Sequence, residues 1–266
     1  MIMPDLRHCR SLLFLPASNP RAIEKARHLP ADLVVLDLED AVKGEDKEKA
    51  REAARAAGGF PGLFAIRVNS AEPWIGPDLE SVRASAADYA IVPMTAGPGE
   101  VRRVAERTGK PVLAMVETAR GVLAAAAITA EARGLIAGTN DLAADLGLPP
   151  GNRRPALATV LQHIVLAARA AGIPAFDGVY NQLDDPDGFA AECREGRSFG
   201  FDGKSLIHPG QIDAANRLFG PSEAEIDAAR RLVAAASGGA ERFEGRMIED
   251  LHVEEARALL ERAQQD

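Results

Sequence analysis

The chain has 266 residues, of which 47% are hydrophobic and 5% aromatic, which suits one large domain or a domain with a short appendage. Its formal net charge of −8 argues against a broad nucleic-acid-binding surface. The two cysteines, Cys9 and Cys193, do not have the spacing of a disulfide framework or of a thiolate metal site. No apolar run is long enough to span a membrane, and the N-terminus lacks the apolar core of a signal peptide. We therefore expect a soluble cytoplasmic protein with no membrane partner.

Short apolar runs alternate with Ala/Arg/Glu-rich segments of helical periodicity along most of the chain. The runs predict eight strands, at 11–15, 33–38, 63–68, 89–93, 112–116, 135–137, 175–179 and 204–207. Helices are predicted at 21–28, 47–57, 99–108, 157–171 and 186–199. Near-continuous apolar strands are typical of a parallel sheet buried on both faces. Eight units predict an α/β fold, a (β/α)8 TIM-type barrel over residues 1–219, with a doubly wound open sheet as the alternative.

The pattern changes after residue 219. A helix capped by Ser222 is predicted over 222–236, the Ser-Gly-Gly stretch at 237–239 breaks it, and a last helix is predicted over 253–263. We therefore expect a C-terminal helical extension, residues 220–266, outside the eightfold alternation.

Two acidic residues, Glu117 and Asp141, each follow an apolar run and open a predicted helix 24 residues apart. This spacing suits one strand-helix-strand unit, which brings both carboxylates to the same edge of a parallel sheet. Oxygen ligands without His or Cys favour Mg2+, or Mn2+, over zinc. The sequence therefore predicts a metal site, and the alternative is that each acid merely caps the helix that follows it.

Arg67 lies in an otherwise apolar strand, where a buried guanidinium needs an anionic partner. A substrate carboxylate would satisfy it in a bidentate clamp, and a salt bridge to Glu39 or Asp40 is the alternative or a companion. The acidic stretch 36–42 that contains these two residues is interpreted as an outer shell around the metal and Arg67, or else as the start of a helix.

Basic and hydroxyl-bearing residues surround the end of the first predicted strand, and they include Arg10, Ser18, Arg21 and Lys25. Such a rim suits a phosphorylated carrier such as coenzyme A, although a solvated helix face explains Arg21 and Lys25 almost as well. His208, before Pro209, is interpreted as a loop histidine that bonds the backbone rather than as a catalytic group.

Six motifs in order identify a known family, and the resemblance runs from about Arg10 to the C-terminus. The motifs are Arg-Ser-Leu-Leu-Phe-Leu-Pro at 10–16, Leu-Asp-Leu-Glu-Asp-Ala-Val at 36–42, Ile-Arg-Val-Asn at 66–69, Val-Glu-Thr-Ala-Arg-Gly-Val at 116–122, Gly-Thr-Asn-Asp-Leu-Ala-Ala-Asp-Leu-Gly at 138–147 and Gly-Phe-Asp-Gly-Lys-Ser-Leu-Ile-His-Pro-Gly-Gln at 200–211. Together they resemble the citrate lyase beta-subunit-like family within the HpcH/HpaI aldolases and malyl-CoA or citramalyl-CoA lyases.

The resemblance implies a Mg2+-dependent carbon–carbon lyase on a TIM-type barrel, with Glu117 and Asp141 as metal ligands and Arg67 on the substrate carboxylate. Its substrate would be a malyl-, citramalyl- or citryl-like thioester of coenzyme A or an acyl-carrier protein, cleaved to an acyl thioester and an oxo acid. The alternatives are an aldolase acting on free hydroxy-oxo acids and a non-catalytic subunit that binds CoA thioesters.

The resemblance further implies a homotrimer or larger homo-oligomer, in which the C-terminal segment brings an acid to a neighbouring active site. Glu249 aligns with that acid, which is usually aspartate, and Asp250 stands beside it. Met94 replaces a usual lysine, and Ala17 replaces a usual glycine. The candidates for the proton-transfer group are therefore metal-bound water, the Glu39 and Asp40 pair, and Glu249 from another subunit.

Overall fold

The computed structural model describes residues 5–151 and 153–263. Eight parallel strands close into a barrel in which each strand pairs with the next, and β8 pairs with β1 through Ser11 and Lys204. The strands are β1 (Ser11–Pro16), β2 (Leu33–Asp37), β3 (Leu63–Arg67), β4 (Tyr89–Val92), β5 (Val112–Val116), β6 (Gly134–Ala137), β7 (Ala175–Asp177) and β8 (Gly203–Leu206). The predicted (β/α)8 barrel is confirmed, and the open doubly wound sheet is wrong because the sheet has no free edge here.

Helices surround the barrel and follow its strands in chain order. They are α1 (Pro20–Ala26), α2 (Lys47–Ala56), α3 (Ile75–Arg83), α4 (Pro98–Thr108), α5 (Ala119–Ile128), α6 (Thr139–Asp145), α7 (Arg154–Ala170), α8 (Pro186–Phe199), α9 (Ile212–Phe219), α10 (Glu223–Ala235) and α11 (Asp250–Ala263). Within the described ranges, none of them is both long and apolar enough to cross a bilayer.

Strand alternation divides the core into two clusters. Every second side chain of a strand points into the barrel, as Leu12, Val35 and Phe176 do. The side chains between them, such as Leu13 and Val34, pack against the helices. Because both sets are buried, the strand sequences are continuous apolar runs and do not alternate between apolar and polar residues. The barrel interior is therefore filled by side chains, and a cavity lies above it at the carboxyl ends of the strands.

Polar contacts join neighbouring strands at their amino-terminal ends. The backbone and Nε of Arg10 donate to Oδ2 of Asp32 at 2.7 and 3.0 Å, and the Asp32 amide donates to Oγ of Ser11 at 3.0 Å. The amide of Lys204 donates to the Arg10 carbonyl at 3.0 Å. These bonds fix β1 between β8 and β2 at the end of the barrel opposite to the loops that follow the strands.

A buried ionic cluster lies between the barrel and helices α7 and α8. Lys204 points outward from β8 and donates to Asp177 at 3.2 Å and to Glu192 at 2.7 Å, while Arg154 makes two bonds to Asp177, at 2.8 and 2.9 Å. Asp177 and Lys204 are fully buried, and burial of a charge is tolerated only with partners of this kind. The cluster fixes the last two strands to their helices.

The predicted helix capped by Ser222 is present after residue 219. Ser222 caps α10 in a capping box with Glu225, in which each side chain bonds the other residue's backbone. Two short antiparallel strands, β9 (Glu241–Phe243) and β10 (Arg246–Ile248), then form a hairpin that the sequence analysis did not predict. The last helix, α11, begins three residues earlier than predicted, at Asp250.

Candidate active site

A cavity of about 420 Å³ opens above the barrel interior, at the carboxyl ends of the strands. Its lining includes Glu117, Asp141, Arg67 and Asp40 together with Asp37 of β2. Loops that follow parallel strands converge at this end, so residues far apart in the sequence meet here. The structure thus brings together both predicted metal ligands, the predicted substrate arginine and part of the acidic stretch.

Glu117 follows β5 directly and is almost completely buried. Its Oε1 accepts a hydrogen bond of 2.5 Å from the amide of Met94, whereas its Oε2 is buried without a hydrogen-bond partner among the described residues. The N-cap of α5 is Thr118, whose side chain accepts from Gly121, so Glu117 is not a helix cap. A buried carboxylate oxygen without a partner is costly, and a cation would satisfy it.

Asp141 lies in the first turn of α6, whose N-cap is Gly138. Burial raises the pKa of Glu117 to about 7, although the hydrogen bond from the Met94 amide lowers it, and the negative charge of Asp141 raises it further. Burial, with the nearby charge of Asp40, also raises the pKa of Asp141. Burial thus disfavours the ionised form of both carboxyl groups although Arg67 is near, and a bound cation would favour that form.

The donor set fits a magnesium ion. Among residues 5–151 and 153–263, no three histidine, cysteine or acidic side chains gather into a metal site, so a cation here would have two protein carboxylates, Glu117 and Asp141. Mg2+ characteristically binds through one or two carboxylates and completes its shell with water and substrate oxygens. The unpartnered Oε2 of Glu117 is the observation that supports this fit.

Arg67 ends β3 and is held from three sides. Its Nε and Nη2 donate to the two oxygens of Asp37 at 2.7 and 2.6 Å, and its Nη1 lies 2.8 Å from Oε2 of Glu39. Its guanidinium stacks over Phe14, with 5.6 Å between Cζ and the ring centre. The predicted salt bridge to the acidic stretch is therefore present, although its main partner is Asp37, and Asp40 is 3.9 Å away.

The acidic stretch forms an ordered loop and not the start of a helix, because Asp37 accepts from the amides of Glu39 and Ala41 at 2.9 and 3.1 Å. Burial raises the pKa of Glu39 to about 8 despite the opposing charge of Arg67, and Asp40 contributes to the rise. Asp40 itself is exposed at the cavity mouth. The stretch therefore contains two carboxyl groups with little exposure, the buried Asp37 and the half-buried Glu39, and one accessible carboxyl group, Asp40. Glu39 lies outside the cavity lining.

The sequence analysis missed the lysine that holds this loop. The Nζ of Lys47 donates to the carbonyls of Leu38 and Glu39 at 2.6 and 2.7 Å and to Oδ1 of Asn69 at 2.8 Å. Lys47 opens α2 and is buried, which is unusual for a lysine. Its place in a charged helical segment gives no sequence signal of burial, so only the structure assigns it this role.

The four residues predicted to bind a phosphorylated carrier lie in two different places. Ser18 lies in the turn after β1 and is half-buried, while Arg21 and Lys25 lie exposed on α1, close in sequence to Pro16 of the cavity lining. Arg10 lies at the amino-terminal end of β1 and pairs with Asp32, so it is on the opposite side of the barrel. Its predicted role at the rim is wrong, because the whole strand separates it from the cavity.

Glu249 and His208 lie outside the cavity lining. Glu249 follows the β9–β10 hairpin and is exposed, and its amide donates to Nδ1 of His252 at 3.0 Å. His208 accepts a hydrogen bond of 3.1 Å from the amide of Gly210, in agreement with the backbone-bonding interpretation. Within its own subunit, Glu249 therefore does not face the two predicted metal ligands.

Comparisons with known proteins identify the family of the chain. The sequence model of the HpcH/HpaI aldolase/citrate lyase family matches residues 10–209. A (3S)-malyl-CoA thioesterase of Cereibacter sphaeroides is 42% identical over 96% of this chain and 94% of its own length. The citrate lyase subunit beta of Escherichia coli K12 is 33% identical over 96% and 93%. CitE of Mycobacterium tuberculosis, crystallised with magnesium, acetoacetate and coenzyme A, is 34% identical with a TM-score of 0.87, covering 97% of this chain and all of that one.

The family match includes β1 to β8 and therefore every strand that contributes to the cavity. The two sequence relatives and the solved structure each extend over nearly the whole chain, so the extension after residue 219 is shared with them as well. The resemblance drawn from the six sequence motifs is confirmed. The chain belongs to the HpcH/HpaI aldolase/citrate lyase family, an enzyme family of aldolases and lyases.

Proposed function

We propose that this protein is a Mg2+-dependent carbon–carbon lyase that cleaves a 3-hydroxyacyl-CoA thioester to an acyl-CoA and an oxo acid. The observation that carries the proposal is the buried, unpartnered Oε2 of Glu117 beside Asp141, in a cavity that also contains Arg67. The similar CitE protein was crystallised with magnesium, an oxo acid and coenzyme A, which supports the same ligand classes here.

Glu117 and Asp141 would hold the magnesium ion, and Mn2+ offers the same preference for oxygen ligands. The bound ion would supply positive charge that lowers the pKa of the substrate hydroxyl and orients the substrate. Arg67 would bind the substrate carboxylate through Nη1, the side of the guanidinium that Asp37 does not use, and the substrate would then displace Glu39 from its contact of 2.8 Å with this atom. Asp37 and Phe14 hold this arginine in place before substrate arrives, so little orientation is lost on binding.

In the cleavage step, a base removes the proton of the substrate's 3-hydroxyl group. The hydroxyl-bearing carbon becomes the carbonyl of the oxo acid, and the electron pair of the broken carbon–carbon bond passes to the thioester as an enolate. Protonation of that enolate yields the acyl-CoA. We assign proton transfer within this subunit to Asp40, which lines the cavity, and to Glu39, which lies outside the cavity lining and is 2.8 Å from Nη1 of Arg67.

We further propose that residues 220–266 complete a neighbouring active site in a homotrimer or larger homo-oligomer, with Glu249 as the contributed acid. Two observations support this assignment. Glu249 is exposed and outside its own cavity, and the adjacent hairpin and helix expose Met247 and Leu251, whose side chains would be covered in an assembly. Ser18, Arg21 and Lys25 would bind the phosphates of coenzyme A at the cavity rim.

The direct test supplies purified protein with malyl-, citramalyl- and citryl-CoA and identifies products by mass spectrometry. We expect an acyl-CoA and an oxo acid in equal amounts, only with Mg2+ or Mn2+. Glu117→Gln and Asp141→Asn should each reduce turnover at least a hundredfold, whereas Asp227→Asn, an exposed acid on α10, should not. Metal-independent cleavage, or full activity in Glu117→Gln, would refute the proposal.

Mixed oligomers test the extension. Subunits that contain Asp141→Asn and subunits that contain Glu249→Gln are each expected to be poorly active alone. If Glu249 serves a neighbour, refolding the two together creates some sites with both native residues and restores part of the activity. Activity no higher than the average of the two parents would show that Glu249 acts only within its own subunit or not at all.

A second candidate is hydrolysis of the thioester bond, favoured by the 42% identity to a (3S)-malyl-CoA thioesterase. Hydrolysis releases free coenzyme A and the intact hydroxy acid, whereas carbon–carbon cleavage releases no free thiol and produces an oxo acid. A thiol assay run beside an oxo-acid assay on the same sample therefore separates the two functions. Cleavage of free hydroxy-oxo acids without thioester activity would instead support an aldolase.

A further inference from the structure

Ser205 of β8 has a buried hydroxyl group that the fold leaves without a partner. The side chain is only 2% exposed, and its Oγ makes no hydrogen bond to any described residue. The other buried serines are all bonded, since Oγ of Ser11 accepts an amide hydrogen, and those of Ser81 and Ser85 donate to carbonyls. An unpaired buried hydroxyl destabilises a fold, so this position indicates a partner supplied from outside the chain.

The hydroxyl faces the same cavity as the metal ligands. Ser205 lies on the inward side of β8, because its neighbour Lys204 points outward into the ionic cluster and Ser205 lines the cavity. The next two strand ends around the barrel have no side chain of their own, since they are Gly178 after β7 and Gly138 after β6. A Cβ at Gly178 would meet Thr139 and a Cβ at Gly138 would meet Glu117, yet neither of these polar side chains bonds the hydroxyl of Ser205. No described residue therefore satisfies this hydroxyl group.

The surroundings of Ser205 show which part of a substrate would reach it. Asp40, at the cavity mouth, has 75% of its side chain exposed, whereas Ser205 is almost inaccessible to solvent. A coenzyme A arm is long and would leave through the mouth, so the oxo-acid half at the other end of the substrate is the part expected to reach the depth of the cavity. Phe14 and Ile207 also line the cavity and offer no hydrogen-bonding side-chain group, and the polar side chains of Thr139, Asn140 and Asn181 line it without bonding Ser205.

We propose that the hydroxyl of Ser205 donates a hydrogen bond to an oxygen atom of the oxo-acid half of the substrate and thereby binds and orients it. This inference rests on the proposed lyase function. It adds a contact on β8 to the arginine on β3, so that the small acid is held from two separate strands. A ligand oxygen would satisfy the hydroxyl, whereas an apolar group in its place would leave the hydroxyl unpaired.

The test measures binding of pyruvate by calorimetry in excess Mg2+, which needs no turnover, and thermal unfolding of the same proteins without ligand. We expect Ser205→Ala to weaken pyruvate binding about tenfold, the loss of one well-placed hydrogen bond, without lowering the unfolding temperature. Ser205→Thr keeps the hydroxyl and should restore most of the affinity. Ser81→Ala is the matched control, because its hydroxyl bonds Arg51 far from the cavity.

We expect Ser81→Ala to unfold about 2–4 °C lower and to bind pyruvate normally. The inference is overturned if Ser205→Ala binds pyruvate as tightly as the unsubstituted protein, if Ser205→Ala loses stability as Ser81→Ala does, or if the unsubstituted protein binds no oxo acid. Oxo-acid binding that depends on Ser205 in a protein that cleaves no CoA thioester would support the inference and refute the lyase proposal, so the two failures are distinguishable.

Discussion

Gly138 makes room for the carboxylate of Glu117. A Cβ atom at position 138 would overlap both the Oε2 atom and the Cβ of Glu117. The backbone at Gly138 has a φ of −93°, which any residue can adopt, so glycine is required here for space and not for conformation. The end of β6 therefore determines where the carboxylate at the end of β5 can lie.

Substituting Gly138 should displace the predicted metal ligand. We expect Gly138→Ala to weaken Mg2+ binding at least tenfold, measured by calorimetry, because the added methyl group overlaps both Cβ and Oε2 of Glu117, so the backbone and the carboxylate must both shift. Gly99→Ala is the matched control, since a Cβ at that helical position meets nothing within 4 Å. Equal Mg2+ affinity in the two variants would show that Glu117 does not bind the ion in the observed position.

The backbone of Met94 is the second determinant of the Glu117 position. Met94 has a left-handed backbone, with a φ of 51°, and its amide donates to Glu117. A β-branched residue tolerates this conformation poorly, so we expect Met94→Val to lower the free energy of unfolding by about 1–2 kcal/mol and to weaken Mg2+ binding. Glu244→Val places the same residue in a left-handed hairpin turn with a φ of 48°. It should cost similar stability but leave Mg2+ binding unchanged, and an equal effect of both on Mg2+ affinity would contradict this role of Met94.

Arg67 should not tolerate replacement by lysine. We expect Arg67→Lys to lower the free energy of unfolding by about 2–4 kcal/mol, because one ammonium group cannot satisfy both oxygens of the buried Asp37. Substrate cleavage should fall about a hundredfold or more. Arg102→Lys, in an exposed pair with Glu131, should change stability by less than about 0.5 kcal/mol in urea unfolding. A loss of activity without loss of stability would mean that Asp37 finds other partners.

Glu39 should make the metal-free protein less stable as the pH rises. Its pKa is about 8 in the fold against 4.5 for the ordinary group, so the folded state binds the proton more tightly than the unfolded chain does. Stability is then greatest below pH 4.5 as far as this group is concerned, and it declines between that pH and about 8. A tenfold difference in proton affinity corresponds to about 1.4 kcal/mol, and we expect a decline of about 1–3 kcal/mol.

The measurement compares unfolding in urea at several pH values between the unsubstituted protein and Glu39→Gln, both in the presence of a chelator. The glutamine cannot ionise, so its stability should decline less over this pH range. Exposed Glu223→Gln on α10 provides the control and should follow the unsubstituted protein. Parallel pH profiles for all three would show that Glu39 is not responsible for the decline.

The barrel was predictable because burial on both sheet faces leaves a strong periodic signal. The β9–β10 hairpin was not, since its three-residue strands contain charged residues and its turn is marked only by Glu244 and Gly245. The pairing of Glu117 and Asp141 followed from their positions after consecutive strands. The amide of Met94 and the space at Gly138 have no side-chain signature, so sequence reasoning could not supply them.

Arg10 shows where sequence proximity misleads. It lies six residues from Pro16, and a strand of that length spans roughly 20 Å, the full depth of the barrel. Asp37 illustrates the opposite case. The sequence placed it near Arg67, but only the parallel register, in which Asp37 and Arg67 are direct partners, shows that it is the main counterion rather than Glu39 or Asp40.

The Arg10–Asp32 bonds have a consequence for how this scaffold can be altered. They join β1 to β2 at the amino-terminal rim, where the Lys204 amide also joins β8 to β1, and this rim lies opposite to the loops that line the cavity. The two rims can consequently accumulate changes independently. Loops above the strands can be exchanged to redirect substrate preference while closure at the lower rim is retained, so new specificities can be sought without rebuilding the barrel.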